Sequence, residues 1–239
     1  MSKIIIEDCG SVAILRLNNG VTNAITDQLV NDFNEALHKI GAKFKGMVLA
    51  GGTKFLSIGL DLPSLTKLDR PAMTDFFYKF DQLIFDLFTL PLPTVCAIAG
   101  HAVAGGNILA IACDYRFGTS DKKQIGLNEI KLGVPLPYLT DLMLRQIVGD
   151  MSARDMLYHG EYMTLSDAKQ IGLIDKIYSP ETVEEEAVKK ATELAAFDGR
   201  ALAEMKANRT EEIRLRYKEN CKSKNEYFLD CWFSNQHRR

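Results

Sequence analysis

Two segments of the chain run from a buried-strand pattern through glycines into a new apolar stretch. The first passes from GMVLA at 46–50 through Gly51-Gly52 to Phe55-Leu56-Ser57-Ile58-Gly59-Leu60-Asp61-Leu62. The second passes from TVCAIA at 94–99 through Gly100-His101-Ala102-Val103-Ala104-Gly105-Gly106 to the small, apolar run Asn107–Cys113, a packed helix. A strand that turns on glycine into a helix leaves backbone N–H groups unpaired at the helix start. Two such groups converging on one oxygen would make an oxyanion hole. Tight turns and close packing also need glycine, and for either segment alone that plainer reading carries more weight.

Around these turns, strands and helices alternate, which predicts an α/β core. Ile4–Glu7 and Val12–Leu17 flank Cys9-Gly10-Ser11, a hairpin signal. Thr26 is placed to cap a helix whose apolar stripe ends at Ile40, with Gly41 to stop it. Pro71 opens a long Met/Phe/Leu stripe over 73–88, and Pro91 and Pro93 close it. Asp114–Gly118 reads as a further strand, Ser152 and Ser166 as helix caps, and Gly172–Tyr178 as a last strand. Val183–Phe197 and Arg200–Phe233 are charged helices, so Phe197-Asp198-Gly199 predicts a boundary between a core (1–197) and a helical tail (198–239).

Several functions are disfavoured at once. The 239 residues carry 29 basic against 31 acidic side chains, so the basic excess of a nucleic-acid binder is missing. Five cysteines without a C-x-x-C pair argue against disulfides and structural zinc. Four histidines without i, i+4 pairing argue against a metal site. The apolar runs are too short for a signal sequence or a membrane span, and the expectation is a soluble, cytoplasmic protein. Gly100–Asn107 has the glycine spacing of a P-loop but lacks its lysine and hydroxyl; no G-x-G-x-x-G follows a strand, and no G-x-S-x-G occurs.

Taken together, the two glycine segments resemble the crotonase (enoyl-CoA hydratase/isomerase) family, with further parts in the right order. Leu17-Asn18 with Asn23-Ala24-Ile25 is similar to its early L-N…N-A-[LI] segment. Phe55–Leu62 resembles its F-S-x-G-x-D-[LI] turn, and Ala104-Gly105-Gly106 with Cys113-Asp114 its second turn and C-D strand. Ile125-Gly126-Leu127-Asn128-Glu129 resembles its F-G-x-P-E segment, and Ala168–Asp175 its A-x-x-x-G-L-V-[DN]. The resemblance implies a spiral of β-β-α units with a C-terminal helical region that packs in trimers or dimers of trimers. It implies an acyl-CoA thioester as substrate, with no separate cofactor. The N–H groups of Leu60 and Gly105 would hold the thioester oxygen. Ala24, Ser57, Gly59, Asp61, Leu62, Gly106 and Asn128 would surround the bound substrate.

Fold alone leaves the reaction open. Family hydratases use two glutamates; here the first position is Ile108 and only the second, Glu129, is a carboxylate. One carboxylate over an oxyanion hole suits a proton shuttle that carries a 3-enoyl thioester to the trans-2-enoyl form, the reaction of the Δ3,Δ2-enoyl-CoA isomerases of fatty-acid β-oxidation. Leu127-Asn128 and Ala104-Gly105-Gly106 look most like that branch. A carboxyl walled by Ile108, Leu127 and Ile130 should also have a raised pKa. The alternatives are another single-carboxylate reaction (a hydratase variant or a decarboxylase) and a crotonase fold kept only as a binding module. His101 is expected to pack or to bond a backbone group, Tyr138 to orient Glu129 or line the acyl pocket, and the 73–88 stripe to be core, with the floor of an acyl tunnel as its alternative. The cations between Lys206 and Lys224 read mostly as a solvated face, some within reach of CoA phosphates. Ending at Arg238-Arg239, the tail reads as shortened relative to the family.

Overall fold

The computed structural model describes residues 2–120 and 122–235; Arg238 and Arg239 lie outside them. Its strands are β1 (Ile4–Cys9), β2 (Val12–Leu17), β3 (Gly46–Ala50), β4 (Phe55–Ser57), β5 (Thr94–Ile98), β6 (His101–Val103), β7 (Tyr115–Thr119), β8 (Gln124–Gly126), β9 (Tyr162–Thr164) and β10 (Lys176–Tyr178). Its helices are α1 (Asp27–Lys43), α2 (Leu62–Leu65), α3 (Arg70–Thr89), α4 (Gly105–Ile111), α5 (Tyr138–His159), α6 (Leu165–Gln170), α7 (Val183–Ala195) and α8 (Gly199–Ser234). A 3₁₀ turn spans Glu129–Leu132.

Two sheets form, in the orders β1-β2-β3-β5-β7-β10 and β4-β6-β8-β9. Apart from the antiparallel β1–β2 and β8–β9 pairs, neighbouring strands are parallel. The winding rule is visible in the order. β3, β5 and β7 of the large sheet are each followed by a short strand of the small sheet (β4, β6 and β8), and then by helix. That repeat is the expected β-β-α spiral. β3 and β5 are buried along their whole length, as strands covered on both faces must be. One face packs on α7 through Val183, Ala187 and Ala191, and the other on the main core.

Several sequence expectations need correction. Gly41 does not end α1, which continues to Lys43; the buried, extended Phe44 ends it, its N–H donating to the Ile40 carbonyl. Ser152 is no cap, because it lies inside α5 beyond a bend at Gly149 (φ 77°, ψ 163°). Ser166 lies in the first turn of α6, where the Thr164 hydroxyl does the capping by accepting from the Asp167 N–H at 3.1 Å. The last strand is only Lys176–Tyr178. The three-residue strands of the small sheet also escape a periodicity reading, being too short to show alternation.

α8 is not a loose tail. It packs on α3 and α5, and Phe228, Leu229 and Trp232 join the main core. Lys206 is buried rather than solvated, with its ammonium 2.7 Å from Asp114, and Arg209 reaches the same carboxylate at 2.8 Å. Among the described residues, no helix is long and apolar enough to cross a membrane.

Candidate active site

The two glycine segments lie side by side because β4 and β6 pair in parallel, Phe55 opposite His101 and Ser57 opposite Ala102. Asn23, buried and at φ 46°, ties the first segment down: its amide donates to the Leu56 carbonyl at 3.1 Å and accepts from the Asn19 N–H at 2.8 Å. Ile25 then bridges to Leu60 as a parallel pair. The Ile25 N–H donates to the Gly59 carbonyl at 2.8 Å and the Asp61 N–H donates to the Ile25 carbonyl at 3.0 Å. A parallel bridge of this kind uses the groups on either side of Leu60, so the Leu60 N–H faces away from it.

Gly105 opens α4 after Ala104, whose φ of 47° is strained for a residue with a Cβ. As the first residue of the helix, its N–H has no intrahelical acceptor. Among the described residues, neither the Leu60 nor the Gly105 N–H donates to any group. The two are close: an atom at the Cβ position of Gly105 would stand 3.4 Å from the Leu60 nitrogen.

Both residues line a cavity of about 400 Å³. Ala24, Asp61 and Leu62 share the first turn's side of it, and Ala104 and Ile108 the second's. Asn128 and Glu129 enter from the 3₁₀ turn, Phe77 and Phe80 from α3, Tyr162 from β9, and Phe228 and Trp232 from α8. Glu129 is buried, and among the described residues its Oε2 has no hydrogen-bond partner. Burial pushes its carboxyl up to about 7, against a weaker downward pull from the N–H groups of Asn128 and Glu129 itself. The Asn128 Oδ1 is likewise buried and unpartnered. The cavity's other carboxylate, Asp61, is half-buried and accepts from the Ser64 hydroxyl at 2.5 Å.

Seven of the ten expected site residues therefore meet in one cavity: Ala24, Leu60, Asp61, Leu62, Gly105, Asn128 and Glu129. Ser57, Gly59 and Gly106 do not reach its wall; they form the turns behind it. The Ser57 hydroxyl donates to the Asn23 carbonyl at 2.7 Å and accepts from the Gly59 N–H at 3.0 Å. Gly59, at φ +96°, holds a backbone shape that L side chains rarely adopt. A Cβ on Gly106 would sit 2.2 Å from the Ser57 carbonyl oxygen.

His101 packs against the Phe55 ring, and its Nδ1 accepts from the Gln124 N–H at 3.0 Å. Tyr138 lies outside the cavity, under Lys224, and lines a neighbouring hollow that also touches Glu129. Sequence reasoning missed Tyr162, Phe228 and Trp232. The one available signal was the chain's single tryptophan, set in an otherwise charged helix.

The sequence pattern of the Enoyl-CoA hydratase/isomerase family matches residues 7–239. The chain belongs to that family. A putative enoyl-CoA hydratase of Thermus thermophilus is 31% identical over 192 residues, which are 78% of this chain and 75% of that protein. The peroxisomal bifunctional enzyme of Pongo abelii is 30% identical over 177 residues; the match covers 73% of this chain but only 24% of that much longer protein. Among solved structures, human mitochondrial delta3-delta2-enoyl-CoA isomerase superposes with a TM-score of 0.93 at 25% identity, covering 98% of this chain and 94% of the human one. As a family member, the chain carries its Glu129 and both glycine turns in one cavity of the shared fold.

Proposed function

We propose that this enoyl-CoA hydratase/isomerase family enzyme is a Δ3,Δ2-enoyl-CoA isomerase acting on acyl-CoA thioesters. The observation that carries this reading is one buried carboxylate, Glu129, whose Oε2 has no partner among the described residues, sharing a cavity with the unpartnered Leu60 and Gly105 N–H groups, while Ile108 stands where the family resemblance places a second catalytic glutamate. The thioester oxygen accepts from the Leu60 and Gly105 N–H groups. Ionised Glu129 removes a proton from carbon 2 of the 3-enoyl chain. The resulting dienolate charge rests on the thioester oxygen, where preorganised donors stabilise it most. Protonated Glu129 then delivers the proton to carbon 4, and the double bond is left conjugated between carbons 2 and 3. A carboxyl at about 7 suits both halves of this cycle near neutral pH.

Hydration is the second reading, favoured by the names of relatives such as the Thermus protein and by Asp61 in the cavity wall. Initial rates on trans-3-hexenoyl-CoA and on crotonyl-CoA separate the two. The isomerase reading expects rapid conversion of the first and little hydration of the second. Fast hydration of crotonyl-CoA would overturn it. Self-association into trimers is part of the same proposal: Met205, Leu215 and Tyr227 on α8 and Met151 and Tyr158 on α5 are large apolar side chains left exposed on one chain. Light scattering at the mass of a single chain would remove that part.

A further inference from the structure

α3 and α8 run antiparallel, and their contacts form a ladder. Arg70 meets Asp230 at 2.5 Å, Phe77 stacks on Phe228 with ring centres 4.0 Å apart, and Phe85 stacks on Tyr217 at 5.0 Å. Between these rungs Asp81 is buried, and its Oδ2 accepts from the Tyr217 hydroxyl at 2.6 Å and from the Asn225 amide at 2.7 Å. Neither donor is a cation, and burial raises the Asp81 carboxyl above its ordinary range. Apolar side chains of similar volume would pack this contact at least as favourably. What a directional tie adds is register: only one seating of α8 brings both donors to one oxygen.

The tie lies next to the cavity. Phe80 precedes Asp81, and Phe77 is one turn before it. On α8, Asn225 is three residues before Phe228 and seven before Trp232, so all three share a face. Those four rings are the helical part of the cavity's aromatic lining, which Tyr162 of β9 completes. We propose that Asp81 is a positioning residue: by holding Tyr217 and Asn225 it sets the register of α8 on α3, hence where Phe228 and Trp232 close the cavity, and thereby the length of acyl chain that fits. This inference rests on the acyl-thioester reading given above.

Trp232 is the chain's single tryptophan and lines the cavity, so its fluorescence reports occupancy without any turnover. The test titrates the unaltered protein, Asp81→Asn and Tyr217→Phe with saturated butyryl-, octanoyl-, dodecanoyl- and palmitoyl-CoA. Tyr217→Phe keeps the ring on Phe85 and removes only the hydroxyl, so it carries the test if Asp81→Asn fails to fold. Both variants are expected to shift the ratio of long-chain to short-chain affinity in the same direction, by about fourfold for each methylene newly accommodated. A chain-length profile that superimposes on that of the unaltered protein, even with a lower Tm, overturns the inference and leaves Asp81 a structural tie. If the unaltered protein responds to no acyl-CoA, the acyl-thioester reading fails and this inference fails with it.

Discussion

On one side of the cavity the chain presents backbone: the N–H groups of Leu60 and Gly105, set by two parallel segments in direct contact. On the other it presents side chains: Phe77, Phe80, Phe228 and Trp232, brought together from two helices far apart in sequence. The backbone side works because atoms are missing, at Gly59 and Gly106, where a methyl group would displace the neighbouring strand or turn. The aromatic side works because atoms are present and closely packed. The first kind of surface is intolerant of addition and the second of removal. Glu129 is buried and lines the same cavity as both.

That contrast gives an ordered set of expectations. The largest effect belongs to the carboxylate that shares the cavity with both surfaces: Glu129→Gln should lower isomerase turnover by about 10³-fold or more while Trp232 fluorescence still reports acyl-CoA binding. Unchanged turnover would remove Glu129 from the mechanism. On the aromatic side, Trp232→Ala takes out a fully buried ring and should lose roughly 3–5 kcal/mol of stability, read by urea unfolding followed by circular dichroism. A loss below about 1 kcal/mol would mean that the wall is not packed as described.

Glu129→Gln should also change stability, and in the opposite sense. The folded carboxyl stands at about 7 against an ordinary value of 4.5, so the folded state holds this proton more tightly than the unfolded chain does. Stability therefore falls as pH rises from 4.5 to 7, and the cost of ionisation levels off above 7 at roughly 3 kcal/mol. The variant's Tm advantage over the unaltered protein should grow across that window and then stay flat. A constant difference across the window would mean that Glu129 titrates as an ordinary carboxylate.

On the backbone side, Gly106→Ala pushes a methyl group against the Ser57 carbonyl and should separate the two N–H donors. The expected loss is about 10²-fold in kcat/KM, comparable to removing one oxyanion donor. Activity close to that of the unaltered protein would show that the donors tolerate displacement. The smallest and most graded effect is pH: kcat/KM should fall about tenfold per unit below pH 7, as the Glu129 base is protonated. A profile flat down to pH 5 would contradict a raised carboxyl.

Much of the backbone side was legible in the sequence. The close approach at Gly106 and the positive φ at Gly59 and Asn23 leave residue-type marks on the chain, and the marks lie near one another in sequence. The carboxylate was legible through the family resemblance of Ile125-Gly126-Leu127-Asn128-Glu129, not through its spacing alone. The aromatic side left no such mark. Phe77 and Phe80 read first as a core stripe, with an acyl-tunnel floor only as the alternative, and Trp232 as part of a charged tail, because a ring that lines a cavity and a ring that fills a core have the same local signature. Ser57 and Gly106 are absent from the cavity wall, since sequence proximity to the turn does not say which side of it faces the cavity.

Beyond the roles that the family resemblance implies for Glu129 and Ile108, the amino-acid sequence by itself determined the strand–turn–helix alternation and the glycine turns. Those features depend on local backbone sterics and residue chemistry. Only the tertiary structure decided that α8 folds back on α3, that Asp81 ties the two, and that Trp232 reaches the same cavity as Glu129. These juxtapositions come from packing between elements more than a hundred residues apart, and local sequence periodicity carries no record of that packing.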